Sequence, residues 1–420
     1  MTSTPTRPVV DALLPGPARS VVETGLGLRW QVDADPYALG LDALVGLALR
    51  DNPKRAQLVV SRVLGKHLPV APAAARHAGA LLAGLVEQSL GGSLALGPLV
   101  LGYCETATAL GHLVAESLHV DGEAGAVYVH TTRRPEPGVP LLAGFDEEHS
   151  HAVAHALQLA DPAALDDPAR PLVLVDDELT TGTTALNTVA ALHACWPHDR
   201  YLVATLLDLR TPQVRAAFSA RADELGVRVE VVALLSGSLA LPSDVLERAA
   251  TLRAELAAVP AAPVPRGRGR VEVLEGGWPA GVPVGGRTGM AVGRADVEAA
   301  LGGLAERLAP RLSGGPVLVL GTEELMWAPL RLAALLPGEV LYQSTTRSPV
   351  LPADLPGYAV RRALRFPAPD EPARGSRLHG LPDEPYADVV VVTDTAAPAA
   401  LPLAEALRPW AAATVQVVAL

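Results

Sequence analysis

Two adjacent carboxylates, Asp176 and Asp177, close an apolar run that begins Pro171-Leu-Val-Leu-Val. They are followed at once by Glu178-Leu179-Thr180-Thr181-Gly182-Thr183-Thr184. Ionised carboxylates only accept hydrogen bonds, so a pair of them suits a sugar diol, which carries donors and no charge. The loop behind them offers four threonine hydroxyls and a glycine turn. It runs into a helix-like stretch through Ala185, Leu186, Val189, Ala190 and Leu192. Backbone N–H groups at such a turn and helix N-terminus make a seat for a phosphate dianion. No G-x-x-x-x-G-K-[ST] run is present, so this is not a P-loop.

Further chemistry-bearing residues lie in three places. Of 34 basic residues only two are lysine, Lys54 and Lys66. Both flank a strand-like centre within Arg50-Asp-Asn-Pro-Lys54-Arg55 to Gly65-Lys66-His67, and a compact ammonium suits a phosphate or a proton transfer. Adjacent Arg133 and Arg134 follow the strand 126–130 and can grip phosphate oxygens bidentately. Between 145 and 155, Glu147, Glu148, His149, His151 and His155 crowd together. His151 and His155 are spaced to share a helix face, as zinc ligands do; a role in closing the site or gripping a second substrate is the stronger reading.

The elements that must position these groups are strands and helices in alternation. An apolar run ending in polar residues reads as a strand buried on both faces of a parallel sheet, with ligands at its carboxyl end. The strand 99–102 leads into Tyr103-Cys104-Glu105-Thr106-Ala107-Thr108 and a helix to 118, and strands follow at 126–130, 201–207 and 227–234. Helices are expected at 41–49 and 73–90, and a strand pair within 18–33. The boundaries read as a tail at 1–17, a first α/β domain at 18–235, a linker with one helix at 236–292, and a second domain at 293–420. The linker composition is carried by Pro260 to Arg270.

The second half echoes the first. Val317 to Glu324 parallels Leu99 to Glu105; Ser344-Thr-Thr-Arg347-Ser-Pro parallels His130-Thr-Thr-Arg133-Arg-Pro; Val389 to Asp394 parallels Val173 to Asp177. Gly102 and Asp176 are 74 residues apart, Gly321 and Asp394 73. Such ordered matches point to an internal repeat. The second copy has Thr395-Ala-Ala-Pro398 where the first has its Thr/Gly loop, so a phosphate should not bind there in the same way.

Residues 171–184 resemble the phosphoribosyl-diphosphate (PRPP) motif of the type I phosphoribosyltransferases, and Thr-Thr-Arg-Ser-Pro at 345–349 resembles the signature of the TRSP domain. That domain accompanies orotate-type phosphoribosyltransferases in tellurium-resistance (Ter) stress gene clusters. The resemblance covers most of the chain. It implies an α/β fold: a phosphoribosyltransferase-like parallel sheet with a hood, then a degenerate second copy of it. It implies that Asp176 and Asp177 hold the ribose hydroxyls, with Mg²⁺ carried largely by PRPP and water. It also implies that Thr180, Thr181, Gly182, Thr183 and Thr184 hold the 5′-phosphate, and that Glu105, Thr106, Ala107 and Thr108 form the diphosphate loop. Lys54, Lys66, Arg133 and Arg134 are expected at the diphosphate, with His149 among the catalytic groups. Arg55, His67, Glu148 and His151 are candidates for the hood and the acceptor. Arg347 is expected to reach the first site from the second domain, packed as a built-in dimer partner. The implied reaction is displacement of diphosphate at ribose C1 by a nucleobase-like acceptor, giving a nucleotide-like stress metabolite; the alternative is a PRPP- or nucleotide-binding sensor.

Composition bounds the rest. A net charge of −11 argues against a nucleic-acid surface. Two cysteines give no disulfide framework, and no stretch has about 18 uninterrupted apolar residues. A cytoplasmic protein without a membrane partner is expected, with a homodimer left open as its assembly.

Overall fold

The computed structural model describes residues 19–91, 96–120, 125–145, 155–274 and 278–420. Val/Leu-rich runs become the central strands, because a strand covered on both faces has no use for polar positions. Leu172 to Val175 are each fully buried. The first sheet has seven strands, in the order Arg29–Ala34, Val229–Ala240, Tyr201–Asp208, Leu172–Leu179, Leu99–Gly102, Val127–His130, Met290–Ala291. Its five inner strands are parallel, and the two edge strands are antiparallel. The helices that cover it include Pro72–Leu90, which starts on proline and ends at a left-handed Gly91, and Ala107–Ser117.

The second sheet has five parallel strands, in the order Arg270–Leu274, Ala411–Ala419, Tyr386–Thr393, Val317–Gly321, Val340–Ser344. The repeat is therefore spatial as well as sequential: the last four of these strands follow the same order as Tyr201–Asp208, Leu172–Leu179, Leu99–Gly102 and Val127–His130. Each copy also has an antiparallel hairpin, Leu141–Phe145 with His155–Gln158 and Ala363–Pro367 with Gly375–His379.

The two halves meet reciprocally. The Ser344 N–H donates to the Gly65 carbonyl at 2.7 Å, and the His130 N–H to the Gly286 carbonyl at 2.9 Å. A Cβ on Gly65 would lie 2.5 Å from the Tyr342 ring, and one on Gly286 2.3 Å from the Tyr128 ring. Only glycine permits either approach. The hood is also shared: Val45–Arg50 pairs with Gln57–Ser61 on one side and with Val350–Leu351 of the second half on the other.

Several expectations change. In place of the strand pair expected within 18–33, the described residues form a helix, Ser20–Leu26, ended by left-handed Gly27, and then the strand Arg29–Ala34. Only Leu41–Leu44 is helical in 41–49, because Val45 onward pairs into the hood sheet. The 236–292 segment is not a free linker. It finishes the strand Val229–Ala240, forms the helix Val245–Ala257, and supplies an edge strand to each sheet through Arg270–Leu274 and Met290–Ala291. Its Gly286 answers Gly65 in the contact between the halves. Among the described residues no helix is long and apolar enough to cross a membrane.

Candidate active site

A cavity of about 1470 Å³ opens where the carboxyl ends of the first sheet's strands face the hood and the second domain. From the expected residues it brings together Lys54, Arg55, Lys66, His67, Glu105, Thr106, Arg133, Asp176, Asp177, Thr180, Thr181, Gly182, Thr184 and Arg347. Their elements explain the gathering: adjacent parallel strands end at one level, so the loops following Gly102, His130 and Leu179 share one rim.

The Thr/Gly loop runs from the strand Leu172–Leu179 into the helix Thr183–His193, with Gly182 left-handed at φ 80° as its N-cap. The Thr181 hydroxyl accepts from the Thr183 N–H at 3.3 Å. Behind the turn, a Cβ on Gly182 would sit 2.5 Å from the Phe218 ring. That ring is stacked under the Arg210 guanidinium at 4.5 Å, and Arg210 is held by buried Asp208. Gly182→Ala meets both a left-handed backbone and this overlap. A loss of about 2 kcal/mol or more is expected from backbone and packing together, read as a lowered melting temperature.

Three carboxylates stand in a row on the strand's end. The Asp177 N–H donates to Asp176 at 2.9 Å. Burial, and then the neighbouring Asp177 charge, push the Asp176 carboxyl well above its usual range; burial also raises Asp177. Glu178 is pushed up to about 7 by burial and by Asp177, against the pull of Arg50 and Arg55.

Glu105 is the hub of the opposite wall. It ion-pairs with buried Lys66, approaches Arg133 at 3.6 Å and Arg347 at 3.5 Å, and accepts from the Thr346 hydroxyl at 3.1 Å. Burial alone would raise its carboxyl, but Lys66 and the arginines hold it down at about 2. Arg133 also meets His155 at 3.0 Å. His67 is buried, its Nε2 finds no hydrogen-bond partner, and burial with His379, Lys66 and Arg50 around it lowers its pKa.

Some expected residues are elsewhere. Arg134 does not line the cavity; its guanidinium turns into the second domain, 3.0 Å from Asp394 and 3.4 Å from Asp370. Ala107 and Thr108 open a helix, and their N–H groups return to the Tyr103 and Glu105 carbonyls, so they are not at a ligand's disposal. Thr183 is the first helical residue, behind the turn. Glu148, His149 and His151 lie outside the described residues. His155 opens a strand, so it does not share a helix face with His151. Among the described residues no three His, Cys, Asp or Glu side chains converge as metal ligands.

The cavity also holds residues to which the sequence reading gave no role: Arg50, Tyr103, Cys104, Glu178, Thr346 and Ser348. The repeated Thr-Thr-Arg at 131–133 and 345–347 was the available signal for Thr346. Cys104 is buried with its thiol 3.6 Å from His155, and burial raises its pKa.

Residues 44–238 match the family model described as phosphoribosyl transferase. Residues 284–407 match the one described as the TRSP domain C-terminal to it. No curated protein matches the chain. Among solved structures, adenine phosphoribosyl transferase from Trypanosoma brucei is similar at 15% identity over 52% of this chain and 79% of that one, with a TM-score of 0.32. The adenine enzyme from Saccharomyces cerevisiae gives 14% identity, 46% and 96% coverage and 0.32. Orotate phosphoribosyltransferase from Aeropyrum pernix gives 19%, 46% and 86%, and 0.27.

Proposed function

The chain belongs to the phosphoribosyl transferases that carry a C-terminal TRSP domain, and from that premise we propose that it is a PRPP-dependent phosphoribosyltransferase acting on a nucleobase-like acceptor. The observation that carries this is the cavity itself. A carboxylate pair, a Thr/Gly turn at a helix N-terminus and several cationic side chains all line it. Asp176 and Asp177 would accept from the ribose 2′- and 3′-hydroxyls, and the turn at Thr180–Gly182 would seat the 5′-phosphate. The bond from C1 to the diphosphate oxygen breaks with its electron pair leaving on diphosphate. A ring nitrogen of the acceptor bonds to C1 and gives up its proton. Arg133 and Arg347, one from each half, face the growing negative charge, and such preorganised charge is the main source of rate in group transfer of this kind.

The carboxylates at 176–178 are oxygen donors held close without a full set of cations, which fits Mg²⁺ shared with a diphosphate rather than caged by protein. When bound, Mg²⁺ would neutralise diphosphate oxygens. Arg50, Lys54 and Arg55 also line the cavity, and their charge favours an acceptor that carries an acidic group. A cytoplasmic role in a tellurium-resistance-type stress response, with small molecules rather than nucleic acid as partners, belongs to the same proposal.

The test is calorimetric titration of Mg·PRPP into the folded protein, followed by a screen of acidic and neutral bases for diphosphate release. Binding with turnover is the expected result. Binding without turnover on any base would favour a PRPP sensor, since Lys66 is already engaged by Glu105 and Arg347 by Glu323. No binding would remove the reading.

A further inference from the structure

The loop after His130 carries Arg133 and Arg134, and the second half holds it at successive positions. The Thr132 hydroxyl donates to one Glu324 oxygen at 2.6 Å, and the Arg133 N–H to the other at 2.7 Å. Arg134 bonds Asp394 at 3.0 and 3.3 Å. Arg287 joins Asp394 at 2.8 Å to Glu136 at 3.1 Å, and the Glu136 N–H donates to Gln158 at 2.6 Å. The Glu324 and Asp394 side chains are only 1% and 9% exposed. Their carboxyls sit below the usual range: burial opposes this, and it is overcome at Glu324 by His130 and Arg287 and at Asp394 by Arg287 and Arg134.

By the repeat, Glu324 stands where the first copy has Glu105, and Asp394 where it has the Asp176 pair. The corresponding cavity is about 210 Å³, against about 1470 Å³ in the first copy. The second copy's carboxylates grip the first copy's loop in the place where a ligand would lie. Meanwhile the Arg133 side chain points the other way, to Glu105 and His155 in the large cavity.

We propose that Asp394 and Glu324 of the second domain are positioning residues that clamp residues 131–136 and so hold Arg133 in the first domain's cavity. The relic site has become a fixed hinge-post for a catalytic loop. The gain is preorganisation: a loop already ordered does not have to be ordered when substrate binds. Charge-assisted bonds shielded from water are the contacts strong enough to do this. The proposal rests on the phosphoribosyltransferase reading for the use made of Arg133, but the clamp is measurable without it.

Three forms are compared with the native protein: Asp394→Asn, Arg134→Met and Arg134→Lys. Amide hydrogen exchange at residues 131–136 is read in the ligand-free protein, beside melting temperature and Mg·PRPP affinity. Asp394→Asn and Arg134→Met should raise exchange at the Arg133 and Arg134 amides at least tenfold and weaken Mg·PRPP about tenfold. Arg134→Lys should restore much of both. Should Asp394→Asn fail to fold, Arg134→Met carries the test, because that side chain is 25% exposed and its loss leaves the core intact. Unchanged exchange in the variants overturns the clamp. Faster exchange with unchanged affinity overturns its role toward Arg133. If the native protein binds no PRPP, the functional reading falls while the exchange result still decides the clamp.

Discussion

Asp176→Asn combined with Asp177→Asn is expected to leave a chain that no longer binds PRPP and that melts at a higher temperature than the native apo protein. The binding loss follows from the loss of two anionic acceptors for the ribose diol; each charged hydrogen bond is worth roughly 1.5–3 kcal/mol, so affinity should fall by more than a hundredfold. The stability gain follows from crowding. Asp176, Asp177 and Glu178 are consecutive on one strand end; burial raises all three carboxyls, and the Asp177 charge adds to this at Asp176 and at Glu178, which reaches about 7. A folded-state pKa above the unfolded one means a contribution that is favourable below the ordinary carboxylate range and is lost as pH rises through the raised value. At pH 8 these groups therefore oppose folding, and neutral amides of the same shape relieve about 1–3 kcal/mol. Thermal melts without ligand at pH 6 and pH 8 check this. The native protein should be more stable at pH 6 with respect to these groups, and the double variant should lose the part owed to Asp176, Asp177 and the Asp177 charge on Glu178, while the part owed to Glu178's burial remains. A variant that melts lower at pH 8, or still binds, contradicts the assignment.

The opposite sign is expected at Glu105. Glu105→Ala should cost about 3–5 kcal/mol, the range for removing one partner of a buried ion pair, because Lys66 is 2% exposed and would be left without its carboxylate. The change also removes the Thr346 hydrogen bond and the 3.5 Å approach of Arg347, which stays bonded to Glu323 at 2.9 Å, so one tie between the halves is lost. Glu105 is held down at about 2, so its contribution is complete above the ordinary carboxylate pKa and fades as pH falls from about 4.5 toward 2. Denaturant melts at pH 7 and pH 3 measure both effects: a large difference between native and variant at pH 7, and a smaller one at pH 3. Equal midpoints at pH 7 would show that Glu105 is not the hub.

What could be read from the sequence was local. The stretch from Pro171 to Thr184 encodes strand, carboxylate pair, turn and helix start within a few residues, and the structure forms each of them in that order. The repeat was legible for the same reason, as short ordered matches. What escaped depended on partners distant in the chain. Residues 45–49 are apolar enough for a helix, and become a strand because Gln57–Ser61 and Val350–Leu351 lie beside them. Arg134 looks identical to Arg133 in sequence; Asp394, 260 residues away, decides that the two point in opposite directions. Pro and Gly in 260–289 suggest a loose connection, whereas Gly286 is glycine because the Tyr128 ring lies against it.

That reciprocal seating, Gly65 under Tyr342 and Gly286 under Tyr128, has the form of a two-fold contact between subunits, but it is written into one polypeptide. In a symmetric dimer every substitution appears twice, so neither copy can give up its chemistry while the other keeps it. Joining the copies lifts that constraint and makes their association independent of dilution, since each half meets the other at a fixed effective concentration. On the proposed reading, one half could then lose its phosphate turn and serve as a support for the site kept by the other.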